Sequence, residues 1–387
     1  MKIYDFCFVL SGFPVKIPSG GENIIFNLAG MLARDGYKVC IAVHPQADLE
    51  LYSKTHDKNF FYPLGKISLV KKFSLKSTPS PILINLTYDI LIAYYKIVKA
   101  INFATNRDYD YSVLKGVDII FTKSLDKLDS KIKNIVATSW QAVYLIKSAK
   151  REYDRGYYLV QIDEDNPKFS GPLSKYAKQM VADKSLKKIV ISKSLLKKFV
   201  GEHPKIMNIG ISPKFTLPKD EKDQNTVLVP LRNAGGKGAS YALEALKIVK
   251  EEYPDVKIFA FGNYSRKLPN YINFSRMPNA KEHVKLYQKC AIFILPSLIE
   301  GFAAPPLEAM ACGCAVVVTK TWGTEEIRNN VNGLVVPIRN SKAIANAVLH
   351  LLKDQKLRRK LAREGIKTSR EYTYRSMYKG FLKAVEL

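Results

Sequence analysis

Hydrophobic and polar positions along the chain form blocks that predict alternating strands and helices. An apolar strand at Ile3–Leu10 is followed by a Gly-rich loop, a helix at Glu22–Arg34 and a second apolar strand at Tyr37–Val43. Continuous apolar strands between amphipathic helices are typical of parallel sheets that are covered on both faces. The start of the chain therefore predicts a β-α-β unit.

The second half repeats this order after a segment rich in Pro, Lys and Asp, His203–Gln224, which is predicted to link two domains. At 387 residues the chain is too long for one ordinary core, and its length indicates about two or three domains. We therefore predict an α/β protein with Rossmann-like domains at 1–205 and 206–370 and a helical tail at 371–387. The other predicted strands are Asp118–Thr122, Ile135–Thr138, Tyr157–Gln161, Lys188–Ser192, Thr226–Leu231, Val256–Phe261, Tyr271–Phe274, Ala291–Pro296, Ala315–Thr319 and Gly333–Val336. The other predicted helices are Tyr241–Glu252, Lys281–Lys289, Glu325–Asn329 and Ser341–Lys353.

The segment Ile82–Phe103 supports two interpretations. Its apolar and Tyr residues cover much of a helical surface, and Lys96 and Lys99 add positive charge. A basic, Tyr-rich amphipathic helix suits a membrane surface, whereas the same pattern also suits a helix packed on the sheet. Asn85 and Asp89 argue against a membrane-spanning helix.

Basic residues outnumber acidic ones, with 61 Lys and Arg against 35 Asp and Glu and a formal net charge of +26. This excess indicates either a polyanionic partner or a Lys-rich solvated surface. Candidate polyanions are nucleic acid, an anionic membrane surface and a diphosphate ligand. Because no motif that reads RNA or DNA is present, nucleic acid is not an expected partner.

The cysteines and the first residues of the chain bear on its compartment. Five Cys without a disulfide framework suit a reducing environment, and the Cys312-Gly-Cys314 pair lacks a second pair at zinc spacing. Lys2 precedes an apolar segment too short for a signal peptide, and no apolar stretch reaches about 18 residues. We expect a cytoplasmic protein, with a peripheral position on the inner face of the cell membrane as an open alternative.

Candidate chemistry concentrates between Leu295 and Val318, where the order is strand, turn, small-residue helix and strand. In an open α/β sheet, ligands bind in the crevice at the carboxyl ends of the strands. Glu300 is predicted in the turn and Glu308 on the first or second turn of the helix. Two carboxylates placed there can accept hydrogen bonds from the hydroxyls of one ligand, and a helix start can hold phosphate.

The combination of Glu300-Gly301-Phe302 with Pro-Pro-Leu-Glu308-Ala-Met resembles the signature of family 4 of the retaining glycosyltransferases. The resemblance is strong from about 226 to 340 and weaker over the first half. It implies the GT-B fold, in which two Rossmann-like domains face each other and a C-terminal helix crosses back to the first. It also implies that the first domain binds the acceptor and the second binds a nucleotide-diphosphate sugar, without a cofactor or a metal.

The resemblance also implies residue roles. Glu300, Arg232 and Lys237 match the catalytic positions: Glu300 holds the donor sugar, and the two cations neutralise the leaving diphosphate. Glu308 matches the residue that binds both ribose hydroxyls, and Met277 matches a backbone contact to the base. The remaining donor contacts fall on the turn, with backbone N–H groups of the last three residues facing sugar or phosphate: Gly301, Phe302, Ala303 and Ala304. Ala303 departs from the usual Gly, which leaves the identity of the sugar open.

Candidate positions in the first half are fewer. Gly20 and Gly21 precede the first helix and leave room for a backbone to approach phosphate. The run from Gln161 to Glu164 is similar to one in a subgroup that includes bacterial cell-surface rhamnosyltransferases. Asp163 and Glu164 therefore face the acceptor, belong to an Asp-x-Asp metal motif with Asp165, or lie in a plain surface loop.

The expected partners are a nucleotide-sugar donor, a glycan or lipid-linked glycan acceptor and an anionic membrane surface. Two other classes remain open. A nucleotide-sugar epimerase or a phosphorylase can use the same architecture, and a non-catalytic polyanion-binding protein would explain the charge. An epimerase would isomerise free nucleotide-sugar, a cofactor-dependent phosphorylase would carry pyridoxal phosphate, and a polyanion binder would show steeply salt-dependent affinity.

Overall fold

The computed structural model describes residues 2–12, 20–44, 110–166, 173–233 and 235–387, with the helical residues 92–93, 96–97 and 99–100. Most of the predicted helix Ile82–Phe103, and with it the choice between core and membrane surface, lies outside the described residues.

Contacts divide the chain into two compact units. One unit is Met1–Val190 with Phe199–Lys205, and the other is Ile191–Lys198 with Ile206–Leu387. Three predictions remain untested: that the first half binds the acceptor, that the second half binds the donor, and that the tail crosses back to the first domain.

The first unit contains a sheet with the strand order β3-β2-β1-β4-β5-β6-β7 among the described residues. Strands β1 to β6 pair in parallel, and the second half of β1 is fully buried. The strands are β1 (Lys2–Leu10), β2 (Val39–Val43), β3 (Val117–Phe121), β4 (Ser130–Ala137), β5 (Tyr153–Val160), β6 (Lys187–Val190) and β7 (Lys205–Ile206). The helices are α1 (Gly20–Arg34), α2 (Trp140–Ser148) and α3 (Ser174–Val181).

The second unit has a six-stranded parallel sheet in the order β10-β9-β8-β11-β12-β13. Apolar residues on both faces of this sheet pack under helices, which explains why its strands read as continuous apolar runs. The strands are β8 (Asp223–Leu231), β9 (Lys257–Gly262), β10 (Ile272–Arg276), β11 (Cys290–Leu295), β12 (Ala315–Thr319) and β13 (Leu334–Val336). The helices are α4 (Lys193–Lys198), α5 (Ala239–Glu252), α6 (Ala280–Lys289), α7 (Ala304–Ala311), α8 (Ser341–Lys353), α9 (Gln355–Ser369) and α10 (Tyr374–Ala384).

Most predicted elements are confirmed to within a few residues, but the predicted helix Glu325–Asn329 is wrong. A short 3-10 turn covers Trp322–Thr324 instead, and the chain continues as a loop. The Asn332 side chain accepts a hydrogen bond from the Arg328 N–H at 2.6 Å and donates to the Glu326 carbonyl at 2.9 Å. These contacts compete with the backbone hydrogen bonds that a helix would need.

Two further features bear on compartment and membrane. All five cysteines are buried and free of disulfides, and a buried free cysteine packs as a small apolar residue. Among the described residues, no helix combines the length and the apolarity that crossing a bilayer requires.

Candidate active site

The strand order of the second unit reverses between β8 and β11, which are neighbours in the sheet but are separated by two strands in sequence. A reversal of this kind opens a crevice at the carboxyl ends of the two strands, because their following chains turn to opposite sides. Arg232 directly follows β8, and Pro296 directly follows β11. The predicted site residues of the second half therefore lie on the two loops that border this crevice.

The two loops are fastened to each other. The Leu298 N–H donates to the Gly236 carbonyl at 2.8 Å. Gly238 adopts a left-handed φ of 66°, and a Cβ at this position would lie 1.9 Å from the Pro296 carbonyl oxygen. Only glycine allows so close an approach with this backbone conformation. The loop that carries Lys237 is therefore fixed against the loop that carries Glu300.

Lys237 and Glu300 form an ion pair at the centre of these loops. The Lys237 Nζ lies 2.8 Å from Glu300 Oε1, and the two side chains are 28% and 13% exposed. The Ser297 hydroxyl donates to the same carboxylate oxygen at 2.7 Å. The Thr319 hydroxyl, at the end of β12, donates to the Ser297 carbonyl. Three strand ends thus hold one carboxylate and one cation in a partly accessible position.

The start of α7 supplies fewer backbone donors than the sequence predicted. The Ala303 N–H, expected to contact sugar or phosphate, instead donates to the Gly323 carbonyl at 2.8 Å. Pro305 and Pro306 occupy the first turn of α7 and have no N–H. Among the described residues, no hydrogen bond involves the N–H groups of Phe302 and Ala304, so these two remain from the predicted set and an anion here depends more on side-chain cations.

Glu308 lies on the second turn of α7 and is half-buried. The Tyr287 hydroxyl donates to Glu308 Oε2 at 3.1 Å. Burial raises the pKa of Glu308 to about 7, although the hydrogen bond from Tyr287 and the charge of Arg232 both lower it. The carboxylate therefore changes charge near neutral pH.

Arg232 and Met277 complete the predicted donor positions. Arg232 is exposed, and its charge acts on both Glu308 and His283. Met277 follows β10 with a left-handed φ of 47°, and its N–H donates to the Gly262 carbonyl at 3.0 Å. A non-glycine residue with positive φ is strained. The Met277 side chain is 52% exposed at the carboxyl edge of the sheet.

In the first unit, the glycines lie at the start of α1. Gly20 opens the helix, and a Cβ on Gly21 would lie 2.8 Å from Gln161 Oε1. Gln161 directly follows β5, and its Oε1 is buried without a hydrogen-bond partner among the described residues. The space left by the missing Cβ of Gly21 is therefore occupied by the Gln161 side chain.

The half-buried Glu164 carboxylate is hydrogen-bonded to other elements of the first unit. Its Oε2 accepts hydrogen bonds from the Trp140 N–H, which starts α2, at 2.7 Å and from the Tyr158 hydroxyl. Burial raises the pKa of Glu164 to about 7, although these two hydrogen bonds lower it. Asp163 accepts from the Asn166 side-chain amide at 3.2 Å. Among the described residues, no group of three metal-ligating side chains is present.

A separate cavity of about 620 Å³ lies in the second unit between the segment 211–217, the end of α7 and the junction of α9 with α10. None of the predicted site residues lines it. Its wall includes Tyr372, whose ring packs 5.9 Å from the Phe302 ring. The cavity therefore borders the turn of Phe302, although no predicted site residue forms part of its wall.

Sequence reasoning missed three residues that build the site: Ser297, Thr319 and Tyr287. Ser297 and Thr319 both follow or end an apolar strand, so strand position was the available signal. Tyr287 had no local signal, since it lies 21 residues from its partner Glu308. Only the packing of α6 beside α7 brings the two together.

Solved structures of the same architecture cover nearly all of the chain. Sucrose-phosphate synthase from Thermosynechococcus elongatus aligns over 99% of this chain and 98% of its own, with a TM-score of 0.64 and 15% identity. Anabaena HepE in complex with UDP-glucose aligns over 98% and 99%, with a TM-score of 0.64 and 16% identity. The two parallel sheets with their helices are the GT-B fold, as predicted.

A family match falls within the second unit. Residues 214–368 match the family described as glycosyl transferases group 1. A Campylobacter jejuni enzyme named N,N'-diacetylbacillosaminyl-diphospho-undecaprenol alpha-1,3-N-acetylgalactosaminyltransferase is 40% identical over 101 residues, 26% of this chain. That match spans 27% of the length of the Campylobacter enzyme. The predicted rhamnosyltransferase subgroup stays a prediction.

Proposed function

We propose that this protein is a retaining glycosyltransferase, which moves a sugar from a nucleotide-diphosphate sugar to a glycan or lipid-linked glycan. The observation that carries the proposal is the ion pair of Lys237 with Glu300 at the switch point of the second sheet. A cation and a carboxylate that share one accessible position suit a ligand carrying both phosphate and sugar hydroxyls.

The donor would occupy the crevice between β8 and β11. Arg232 and Lys237 would neutralise the diphosphate, with the N–H groups of Phe302 and Ala304 as additional donors. Glu300 would accept hydrogen bonds from the sugar hydroxyls, and Glu308 would accept them from the ribose. Because Lys237 already contacts Glu300, it is placed to bridge the sugar and its leaving group.

The reaction needs no protein nucleophile. The bond from the anomeric carbon to the phosphate oxygen breaks, and the acceptor oxygen forms its bond from the same face. The acceptor hydroxyl proton passes to the leaving phosphate oxygen. Arg232 and Lys237 would stabilise the charge that develops on the diphosphate, which is the role of a preorganised electrostatic site, so the proposal includes no metal.

The nature of the acceptor is inferred from one relative and from the charge of the chain. The Campylobacter relative is named for a substrate linked through diphosphate to undecaprenol, and the net charge of +26 favours an anionic surface. We therefore propose a lipid-linked acceptor and a peripheral position at a membrane. Sedimentation with anionic and neutral vesicles at low salt tests the membrane contact, and equal recovery with both would remove it from the proposal.

Thermal unfolding with a panel of UDP-, GDP- and ADP-sugars, without added metal, tests the donor site. We expect one nucleotide-sugar to raise Tm selectively, because a ligand that binds only the folded state stabilises it by mass action. Glu308→Ala should remove that shift, whereas Glu251→Ala, on the exposed face of α5, should retain it. A folded protein that none of the donors stabilises would contradict the proposal.

The same samples separate the alternative functions. Incubation of the selected nucleotide-sugar without acceptor would reveal an epimerase by isomerisation of the free donor. Binding of single-stranded DNA with a steep salt dependence, without any donor binding, would favour the polyanion-binding alternative.

A further inference from the structure

Tyr287 stands out among the residues around the crevice because its hydroxyl contacts a predicted donor residue although its ring is fully buried. The ring belongs to α6, and the hydroxyl donates to Glu308 Oε2 on α7 at 3.1 Å. Among the described residues, no hydrogen bond occupies the other oxygen, Oε1. The tyrosine thus fixes one oxygen of the carboxylate and leaves the other for a ligand.

The position of this hydroxyl is determined by aromatic packing. The Tyr287 ring packs edge-on against Phe215 and Phe261, with centroid distances of 5.4 and 5.8 Å. It also packs against Phe293 at 5.4 Å and His283 at 5.0 Å. Rings in these arrangements are held on several sides. Its hydroxyl therefore cannot leave Glu308 without repacking the cluster.

The backbone of Tyr287 is held as well. Its carbonyl accepts a hydrogen bond from the Lys222 Nζ at 2.8 Å, and the same ammonium group donates to the Cys290 carbonyl at 2.6 Å. The end of α6 is thereby attached to the segment that leads into β8. Both ends of the residue, the carbonyl and the hydroxyl, are fixed before any donor arrives.

We propose that Tyr287 is a positioning residue for donor recognition, whose hydroxyl orients Glu308 so that Oε1 meets the ribose hydroxyls of the nucleotide. The inference rests on the proposed function, because it takes Glu308 as the ribose ligand. Orientation before binding lowers the entropy that the carboxylate loses when the donor binds.

If Tyr287 orients Glu308, its removal should change the pKa of Glu308, whereas a residue that only packs beside Glu308 would not change that pKa. The charged groups and titratable groups that act on Glu308 are Tyr287 of α6, Arg232 after β8 and Cys312 at the end of α7. The hydroxyl of Tyr287 lowers the pKa of Glu308, so its removal should raise that pKa. Burial lowers the pKa of His283 to about 4, which keeps this neighbour neutral at about pH 7.

The experiment is a calorimetric titration of the full chain with UDP, or with GDP or ADP if the donor panel selects that base, from pH 5.5 to 8.5. Affinity of the unaltered protein should rise with pH through about 7, since the ionised carboxylate is the better acceptor. Tyr287→Phe should weaken binding at pH 7 about tenfold, as expected for one hydrogen bond to a charged group. It should also move the midpoint of the pH profile upward.

Two variants serve as controls. Tyr253→Phe removes a hydroxyl that contacts Asn225, near the start of β8, at 3.2 Å, and it should leave affinity and midpoint unchanged. In a Glu308→Gln background, which cannot titrate, Tyr287→Phe should produce no shift of midpoint and a smaller loss. Tm of each variant shows whether the protein remains folded.

The outcomes separate the two proposals. If UDP, GDP and ADP all fail to bind the unaltered protein, the proposed function and this inference fall together. If a nucleotide binds, Glu308→Ala weakens it, and Tyr287→Phe leaves affinity and midpoint unchanged, the function stands and the inference is overturned. A loss of affinity without a shift of midpoint also overturns it, because that result indicates packing alone.

Discussion

Lys237 and Glu300 lie 63 positions apart in sequence and form an ion pair of 2.8 Å between the ends of two neighbouring strands. The loop that carries Lys237 and the loop that carries Glu300 are hydrogen-bonded to each other. The pair is therefore formed before a donor binds. In the proposed function, a diphosphate that enters the crevice would meet a cation whose position is already set, which is the condition for strong electrostatic stabilisation of a leaving group.

Lys237→Ala should lower turnover more than it weakens donor binding. We expect kcat to fall about 10²- to 10³-fold, comparable to the loss of one donor from a preorganised anion site. Initial rates with saturating donor would measure it. Lys247→Ala removes an exposed partner of Glu251 on α5 and should change kcat less than about twofold. A Lys237→Ala enzyme with normal kcat would remove this residue from the proposed mechanism.

Gly238→Ala should destabilise the second unit and disturb the crevice. The added Cβ would lie 1.9 Å from the Pro296 carbonyl, and the left-handed backbone adds strain for alanine. We expect a loss of about 2 kcal/mol or more in the free energy of unfolding, measured in urea. Gly201→Ala, which meets no atom within 4 Å, is the matched control and should change little. Equal stability of the two variants would contradict the close approach of Gly238 to the Pro296 carbonyl.

Glu164→Gln should change how stability depends on pH. The folded protein raises the pKa of Glu164 from 4.5 to about 7, so between these values it binds a proton that the unfolded chain has released. The free energy of unfolding therefore falls as pH rises through this window, by up to about 1.4 kcal/mol for each unit of pH. Glutamine has no such proton to lose.

Urea unfolding at pH 5, 6, 7 and 8 would measure this difference. Because Glu308 has a similar raised pKa, the difference between variant and unaltered protein isolates the contribution of Glu164. The stability of Glu164→Gln should approach or exceed that of the unaltered protein as pH rises toward 8. Parallel pH profiles would show that the carboxylate is not perturbed in the folded state.

Lys188→Met tests a buried ion pair in the first unit. The Lys188 side chain has no exposed surface, and its ammonium group donates to Glu202 and to the Asp183 carbonyl. Removal of one partner from a fully buried pair costs about 3–5 kcal/mol. Since Glu202 is 22% exposed, we expect about 2 kcal/mol. Adding Glu202→Gln should recover part of the loss, and Lys2→Met, which breaks an exposed pair, should cost little.

The sequence predicted the second unit better than the first, for reasons visible in particular elements. Strands such as β11 and β12 are buried on both faces and read as unbroken apolar runs. Helix α2 was missed although Ser139 caps it by accepting a hydrogen bond from the Ala142 N–H, since the helix is short and its start resembles the adjoining strand. Helix α3 was missed because its Lys residues obscured a narrow apolar face.

The contacts inside the candidate site were beyond sequence reasoning. The signature placed Glu300 and Glu308 correctly in a turn and on a helix, but the partners Lys237 and Tyr287 come from other elements. The N–H of Ala303 could not be assigned from sequence, because its acceptor, the Gly323 carbonyl, belongs to the segment after β12. Such pairings depend on how loops from separate strands meet.

The two prolines at the start of α7 have a consequence for how donor binding would depend on ionic strength. A helix start with a full set of N–H groups binds anions through fixed dipoles, whereas Pro305 and Pro306 leave this one with few. In the proposed function, recognition of the diphosphate would then depend mainly on Arg232 and Lys237, whose full charges are screened by dissolved ions. The ionic strength around the protein would therefore act as a control on donor occupancy.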